Sequence, residues 1–239
     1  MRVSESIRLA LVALLMLPLA ACSPSPPPPN EAAAPAAAAA QGTKELELYR
    51  TLREQGSWEL AAPIGKEIVE RFPGSAAATE VAQTLEETSA KAVAATRQRR
   101  MERLWSYQSG KESGGDQVTA SIYSEDRNAA ERVRLVLRRH SDWGQSAYLF
   151  GSGKGFVCRG TCSIEARFDD APARKLKAYL PETGEPALFI SDDKAFIGQM
   201  EKAEVLRLEV EEKDRGKRTL TFEVGGFDAA KFPPLAKKK

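Results

Sequence analysis

The side chains in this chain that are able to do chemistry fall into a few small groups. His140, Ser141 and Asp142 are the residue types of a hydrolytic triad, in which a base activates a hydroxyl and a carboxylate orients the base. Neighbours along a chain rarely face one another as that geometry requires, and no Gly-x-Ser-x-Gly elbow is present. His140 is the only histidine, so an enzyme would have to rest on it. The expectation is a loop histidine that binds nothing, in a protein that is not an enzyme. Gly151-Ser152-Gly153-Lys154-Gly155 looks like a phosphate loop, but the first glycine falls at the wrong spacing, Gly155 follows the lysine, and the segment lies between two strand-like runs. It reads as a hairpin turn. Arg167, Asp169 and Asp170 at a strand end form a set suited to recognition, although the plainer expectation is an Arg and an Asp satisfying each other beside a β turn. One pair of acids falls short of the six to eight oxygens that Ca²⁺ prefers. No metal and no cofactor is expected.

Cys22 carries a different chemistry. Arg2 and Arg8, the apolar run at residues 9–19 and the small residues after it have the layout of an export signal. The run is short for a span, which takes about 20 apolar residues. Leu19-Ala20-Ala21-Cys22 resembles the bacterial lipobox at all four positions. That resemblance implies a lipoprotein: diacylglyceryl on the Cys22 thiol, cleavage before it, and often an acyl chain on the new amine. Several chains hold firmly where one holds marginally, each buried CH₂ contributing about 0.8 kcal/mol. By the enterobacterial sorting rule Ser23 implies the periplasmic face of the outer membrane. Without residues 1–22 the net charge is +1. Neither nucleic acid nor an anionic membrane is attracted by the chain as a whole.

An exported chain meets an oxidising compartment, where a pair such as Cys158 and Cys162 closes into a disulfide. With Arg159-Gly160-Thr161 between them, the two sit opposite each other across a tight hairpin. A loop of five residues gains about 2 kcal/mol on the chain-entropy model. The alternatives are a redox pair, though a thioredoxin-like motif has two intervening residues, or half a zinc site, for which one histidine leaves too few ligands.

The elements that would position these groups divide the chain. Residues 23–42 are nearly all Pro, Ala and Ser and read as a polyproline-like spacer, able to hold the folded part up to roughly 60 Å from a membrane. Residues 43–105 have helical periodicity. Leu48, Tyr49 and Leu52 line one helix; Gly56 breaks it; Ser57 caps a second bearing Ala61, Ile64, Ile68 and Phe72, which Pro63 kinks or delays. After Pro73-Gly74, Ser75 caps one long helix with Ala78, Val81, Ala82, Leu85, Ala92 and Val93 inward. Gln55-Gly56-Ser57-Trp58-Glu59-Leu60-Ala61 with Pro73 resembles the centre of a tetratricopeptide repeat, departing from it at Gly65, where a large residue usually packs. A single unit needs support, from a partner copy or from the domain behind it.

From residue 106 to 232 the period changes to two. Short alternating runs at 117–124, 132–138, 146–150, 156–158, 163–168, 174–180, 187–191, 205–210 and 220–224 predict strands. One helix at 192–202 carries Phe196, Ile197 and Met200 inward. Residues 233–239 form a basic tail. The fold class is therefore α+β: a helical hairpin plus a long helix, then an antiparallel β sandwich or open barrel with one inserted helix. The strand Val133-Arg134-Leu135-Val136-Leu137-Arg138, Glu165-Ala166-Arg167-Phe168-Asp169-Asp170, the helix leading into Ala203-Glu204-Val205-Leu206, and Leu220-Thr221-Phe222-Glu223-Val224-Gly225-Gly226-Phe227 together resemble the type VI secretion-associated VasI family. That implies a β fold in the cell envelope and no reaction. The expected function is a membrane-tethered, non-enzymatic protein-binding or scaffold module with an envelope protein partner. The alternative is a periplasmic inhibitor or immunity protein against a toxin or wall hydrolase, with the stapled tip at 156–161 as its plug.

Overall fold

The computed structural model describes residues 33–126, 128–151 and 153–236, with side chains from residue 40 onward. The signal segment, Cys22, residues 23–32, Ser152 and Lys237 to Lys239 lie outside the described residues. Among the described residues four helices come first: α1 (Ala33–Glu54), α2 (Trp58–Arg71), α3 (Ala76–Ala82) and α4 (Leu85–Glu102). Nine strands follow: β1 (Ser106–Glu112), β2 (Gly115–Tyr123), β3 (Arg134–His140), β4 (Gly144–Phe150), β5 (Thr161–Phe168), β6 (Arg174–Tyr179), β7 (Ala187–Ile190), β8 (Val205–Glu212) and β9 (Gly216–Glu223). Helix α5 (Asp193–Met200) lies between β7 and β8. The class is α+β with an open sheet, and no helix among the described residues is long and apolar enough to cross a membrane.

The expected spacer is shorter than its composition implied. Residues 33–42 belong to α1, because the alanine tract is the strongest helix former and Pro35 falls in the first turn, where an N–H has no intrahelical partner. Helices α1 and α2 turn back on each other through Gly56 (φ +70°) and share a small core of Leu46, Tyr49, Ala61, Ile68, Ala77, Ala78 and Val81. Gly65 departs from the repeat pattern for a visible reason: a Cβ there would lie 2.7 Å from the Tyr49 ring and 2.9 Å from Leu85. Tyr49 is the large residue that fills the position from the neighbouring helix. Pro63 does not delay α2, which starts at Trp58. Ser57 makes no side-chain cap bond, whereas Ser75 Oγ accepts from the Ala78 N–H at 3.0 Å.

The expected long third helix is two helices. It breaks at Gln83 and Thr84, after which Val93 is 70% exposed instead of buried. The buried Tyr49 hydroxyl needs partners, and it finds Thr84 Oγ1 at 3.0 Å and Thr88 Oγ1 at 2.9 Å. Thr88 therefore sits on the seam of α4 that faces the helical core.

The strands form one antiparallel sheet in the order β1-β2-β3-β4-β7-β6-β5-β8-β9, with edges at β1 and β9. It curls over a single core until the Glu125 N–H, just past β2, donates to Thr221 O on β9 at 2.7 Å. Helix α5, capped by Asp192 Oδ1 on the Ala195 N–H, drops Phe196, Ile197 and Met200 into that core. Residues 156–158 are not a strand. Phe156 makes one isolated bridge to Glu212, so Gly153 to Gly155 lead into a crossing segment, not the expected hairpin turn. The reason is non-local: β4 spends its free edge on β7. Phe232 is buried and Leu235 packs on the core, so the C-terminal segment up to there belongs to the β domain.

The helical unit leans on the β domain. Trp105 Nε1 donates to Val224 O at 3.2 Å, Arg100 pairs with Glu223 and Arg97 with Glu204 at 2.5 Å. Gly226 meets the backbone of Met101 and Glu102 directly.

Candidate functional site

The expected chemical groups are mostly occupied with holding the fold. His140 ends β3 and is 3% exposed; its Nδ1 accepts from the N–H groups of Asp142 (3.1 Å) and Trp143 (3.2 Å), and Nε2 donates to Glu112 O at 2.9 Å. It is not a loop histidine that binds nothing. Both ring nitrogens are engaged with backbone, and Trp143 stacks on the ring at 3.9 Å. Ser141 Oγ accepts from the Asp116 N–H and donates to Asp142 Oδ1. The hydroxyl therefore faces these groups and not the imidazole, so the three neighbours form no relay.

Arg167, Asp169 and Asp170 do not converge either. Asp169 takes a left-handed backbone (φ +50°), and its Oδ1 accepts from the N–H groups of Glu204 and Val205, each at 2.9 Å. It ties the end of β5 to the start of β8. Its carbonyl accepts from Arg207, not Arg167. Arg167 stands outward opposite Arg207, and Asp170 is exposed. Asp214, in the turn between β8 and β9, lies against Gly153, where a Cβ would be 2.2 Å from the carboxylate. A carboxylate there opposes phosphate binding.

Cys158 and Cys162 are joined, with Cα atoms 5.5 Å apart. The bridge staples an exposed loop, not a two-stranded hairpin, since β5 pairs with β6 and β8 while Val157 N–H donates to Glu211 O. Beside it β5 and β8 part company beyond Glu165, opening a cleft of about 530 Å³ lined by Val157, Glu165, Glu209, Glu211 and Lys217. A charged cluster unforeseen in the sequence lies nearby: Arg218 bridges Glu212 (3.1 Å, side chain 2% exposed) and Asp126 (2.5 Å). No local spacing announces it, because its members come from opposite ends of the sheet. Among the described residues no group of His, Cys, Asp and Glu is placed to hold a metal ion.

What the fold does assemble is a face. On the outside of the sheet the register sets Val136 beside Tyr148, Tyr148 beside Phe189 and Phe189 beside Tyr179, one residue from each of β3, β4, β7 and β6. Tyr148 and Phe189 stack at 4.7 Å, and Phe189 and Tyr179 at 5.5 Å. Arg138 lies over both Tyr148 and Trp143, and Arg134 over Phe150. Trp143, Tyr123 and Tyr179 are each exposed by two-fifths or more. Burial pushes the Tyr148 phenol above its ordinary pKa, with Arg138 and Arg134 pulling the other way. It stays a neutral hydroxyl.

A comparison with protein-family models found no match, nor did one with curated proteins. Among solved structures, the crystal structure of invasion associated protein B from Bartonella henselae is similar at 16% identity and a TM-score of 0.35, over 53% of this chain and 87% of that one. So slight a likeness decides neither fold nor function.

Proposed function

We propose that this chain is a membrane-tethered envelope lipoprotein that acts as a non-enzymatic protein-binding module. The tether rests on the lipobox at Cys22, and the likeness to the VasI family supports the same setting. The observation that carries the binding role is the outer face of the sheet, where Tyr123, Trp143, Tyr148, Tyr179, Phe189, Arg134 and Arg138 form one rigid patch. Aromatic residues and Arg are enriched at protein interfaces and dominate their hot spots. A photo-crosslinking residue at Tyr179 in the membrane-anchored protein is expected to capture one specific envelope protein, and the same residue at Val93 to capture none. Silence at both Tyr179 and Trp143 would sink the reading.

The stapled loop favours a second reading, an inhibitor or immunity protein that plugs an envelope-acting enzyme. Residues 159–161 are exposed, and the disulfide holds the tip in shape before binding, which lowers the entropic cost. Cells lacking the protein should then become more sensitive to neighbouring bacteria or to wall hydrolases. Unchanged sensitivity removes this alternative.

A further inference from the structure

We infer that the outer face is a carboxylate receptor: Arg138 and Arg134 are guanidinium forks held ready for two acidic side chains of an extended partner segment. This rests on the reading of that face as the protein-binding surface and specifies the partner's chemistry. Arg138 is clasped between two rings, with its guanidinium carbon 5.2 Å from Trp143 and 5.5 Å from Tyr148, and its Nε donates to Ser146 Oγ at 3.2 Å. Those contacts fix the plane of the group and leave its two terminal nitrogens without a partner among the described residues. Arg134 stacks on Phe150 at 5.5 Å and has no ion-pair partner among the described residues. Several other arginines have carboxylate partners, among them Arg50–Glu80, Arg71–Glu67, Arg100–Glu223 and Arg218–Asp126. A stacked, preoriented fork matches a carboxylate with two parallel hydrogen bonds, which a lysine does not.

The surrounding charge points the same way. The outward positions of β2, β3, β4, β7 and β6 hold Arg134, Arg138, Lys175 and Lys177 and no carboxylate. Glu185, the acid whose charge acts on the Tyr148 phenol, lies in the loop before β7, where its Oε2 accepts from Thr183 at 2.8 Å. The forks are four residues apart on one strand, about 13 Å. An extended partner has the same rise, so acids at positions i and i+4 would meet both. Between the forks stand the Tyr148 ring and the edge of the largely buried Val136, which suit an apolar side chain of a protein and not a phosphate polymer. The chain's own undescribed ends do not supply the motif, since residues 237–239 are lysines and Glu5 and Glu31 are far apart.

The test uses the detergent-solubilised full chain and synthetic nine-residue peptides with apolar centres, carrying two glutamates at i and i+4, or two glutamines there. Titration calorimetry and the fluorescence of exposed Trp143 report binding. The glutamate peptide should bind at least about tenfold more tightly than the glutamine peptide, the scale of a charge-assisted pair. That margin should shrink with added salt and vanish in Arg138→Gln and in Arg134→Gln, and Arg138→Lys should not restore it. Equal binding of both peptides, no binding of either, or competition by phosphatidylglycerol vesicles at matched charge overturns the inference. If the Arg134→Gln, Arg138→Gln double variant still crosslinks its envelope partner from Tyr179, the inference falls and the protein-binding reading stands. If no variant, nor the parent, crosslinks anything there, the reading of the face itself falls.

Discussion

Replacing Gly226 by Ala tests how the helical unit is held on the sheet. A Cβ at that position would lie 2.2 Å from the Met101 carbonyl carbon and 2.3 Å from the Glu102 nitrogen. These are backbone atoms in the last turn of α4, so no side chain can rotate away to make room. Overpacking costs about 1–3 kcal/mol even where neighbours yield. Relief here means withdrawing the end of α4, which stretches the Trp105 to Val224 hydrogen bond, a further loss of about 1 kcal/mol. The expected destabilisation is therefore about 3 kcal/mol. Urea unfolding followed by tryptophan fluorescence measures it, since Trp105 is 6% exposed and sits at the junction. Gly110→Ala is the control: nothing lies within 4 Å of a Cβ there, and the change should stay within about 0.5 kcal/mol. A Gly226→Ala protein as stable as the parent would refute the close backbone contact.

Gly65→Ala should destabilise by about 1 kcal/mol, because the clash with Tyr49 and Leu85 outweighs the helix propensity that Ala adds, and the same urea titration reads it. Cys158→Ser with Cys162→Ser should cost about 2 kcal/mol and leave partner crosslinking intact; mass spectrometry of thiols trapped at lysis that found both cysteines free would remove the staple. Arg100 beside Glu223 holds that carboxyl below its ordinary 4.5, while burial and Glu223 hold Glu125 above it. A depressed carboxyl stabilises above its unfolded value and loses that contribution as pH falls through the folded one. Arg100→Gln should therefore be less stable than the parent at neutral pH, with the gap closing as pH drops below about 4.5. A gap that persists unchanged in acid would show that the ion pair is not its source.

Local pattern carried much of the fold. Leu135 and Leu137 alternate with Arg134 and Arg138, and that alternation alone marks β3 as a strand with one face inward. Asp192 followed by Phe196, Ile197 and Met200 marks α5 by its cap and its stripe. β1 escaped notice because Ser106–Glu112 carries Tyr107 as its single large apolar residue and lies at an edge, exposed on nearly every position. The candidate site was far less legible. Tyr148, Tyr179 and Phe189 each read as an ordinary alternating position, and Arg138 as the polar side of its own strand. The residues whose types had suggested chemistry, His140 and Asp169, are spent on backbone groups.

By itself, the sequence determined the elements whose signals are short in range: caps, the period of apolar residues and the turn at Gly56. Those depend on dihedral preferences and on which neighbours within a few residues share a face. The order of strands was decided by tertiary structure. β4 joins β7 and β5 joins β8, because the curled sheet buries its apolar faces in one core only with those edges matched. That pairing is what lines up Val136, Tyr148, Phe189 and Tyr179 across four strands and clasps Arg138 between two rings. A surface made of residues distant along the chain exists only once the backbone between them has been folded, and no spacing along the sequence encodes it.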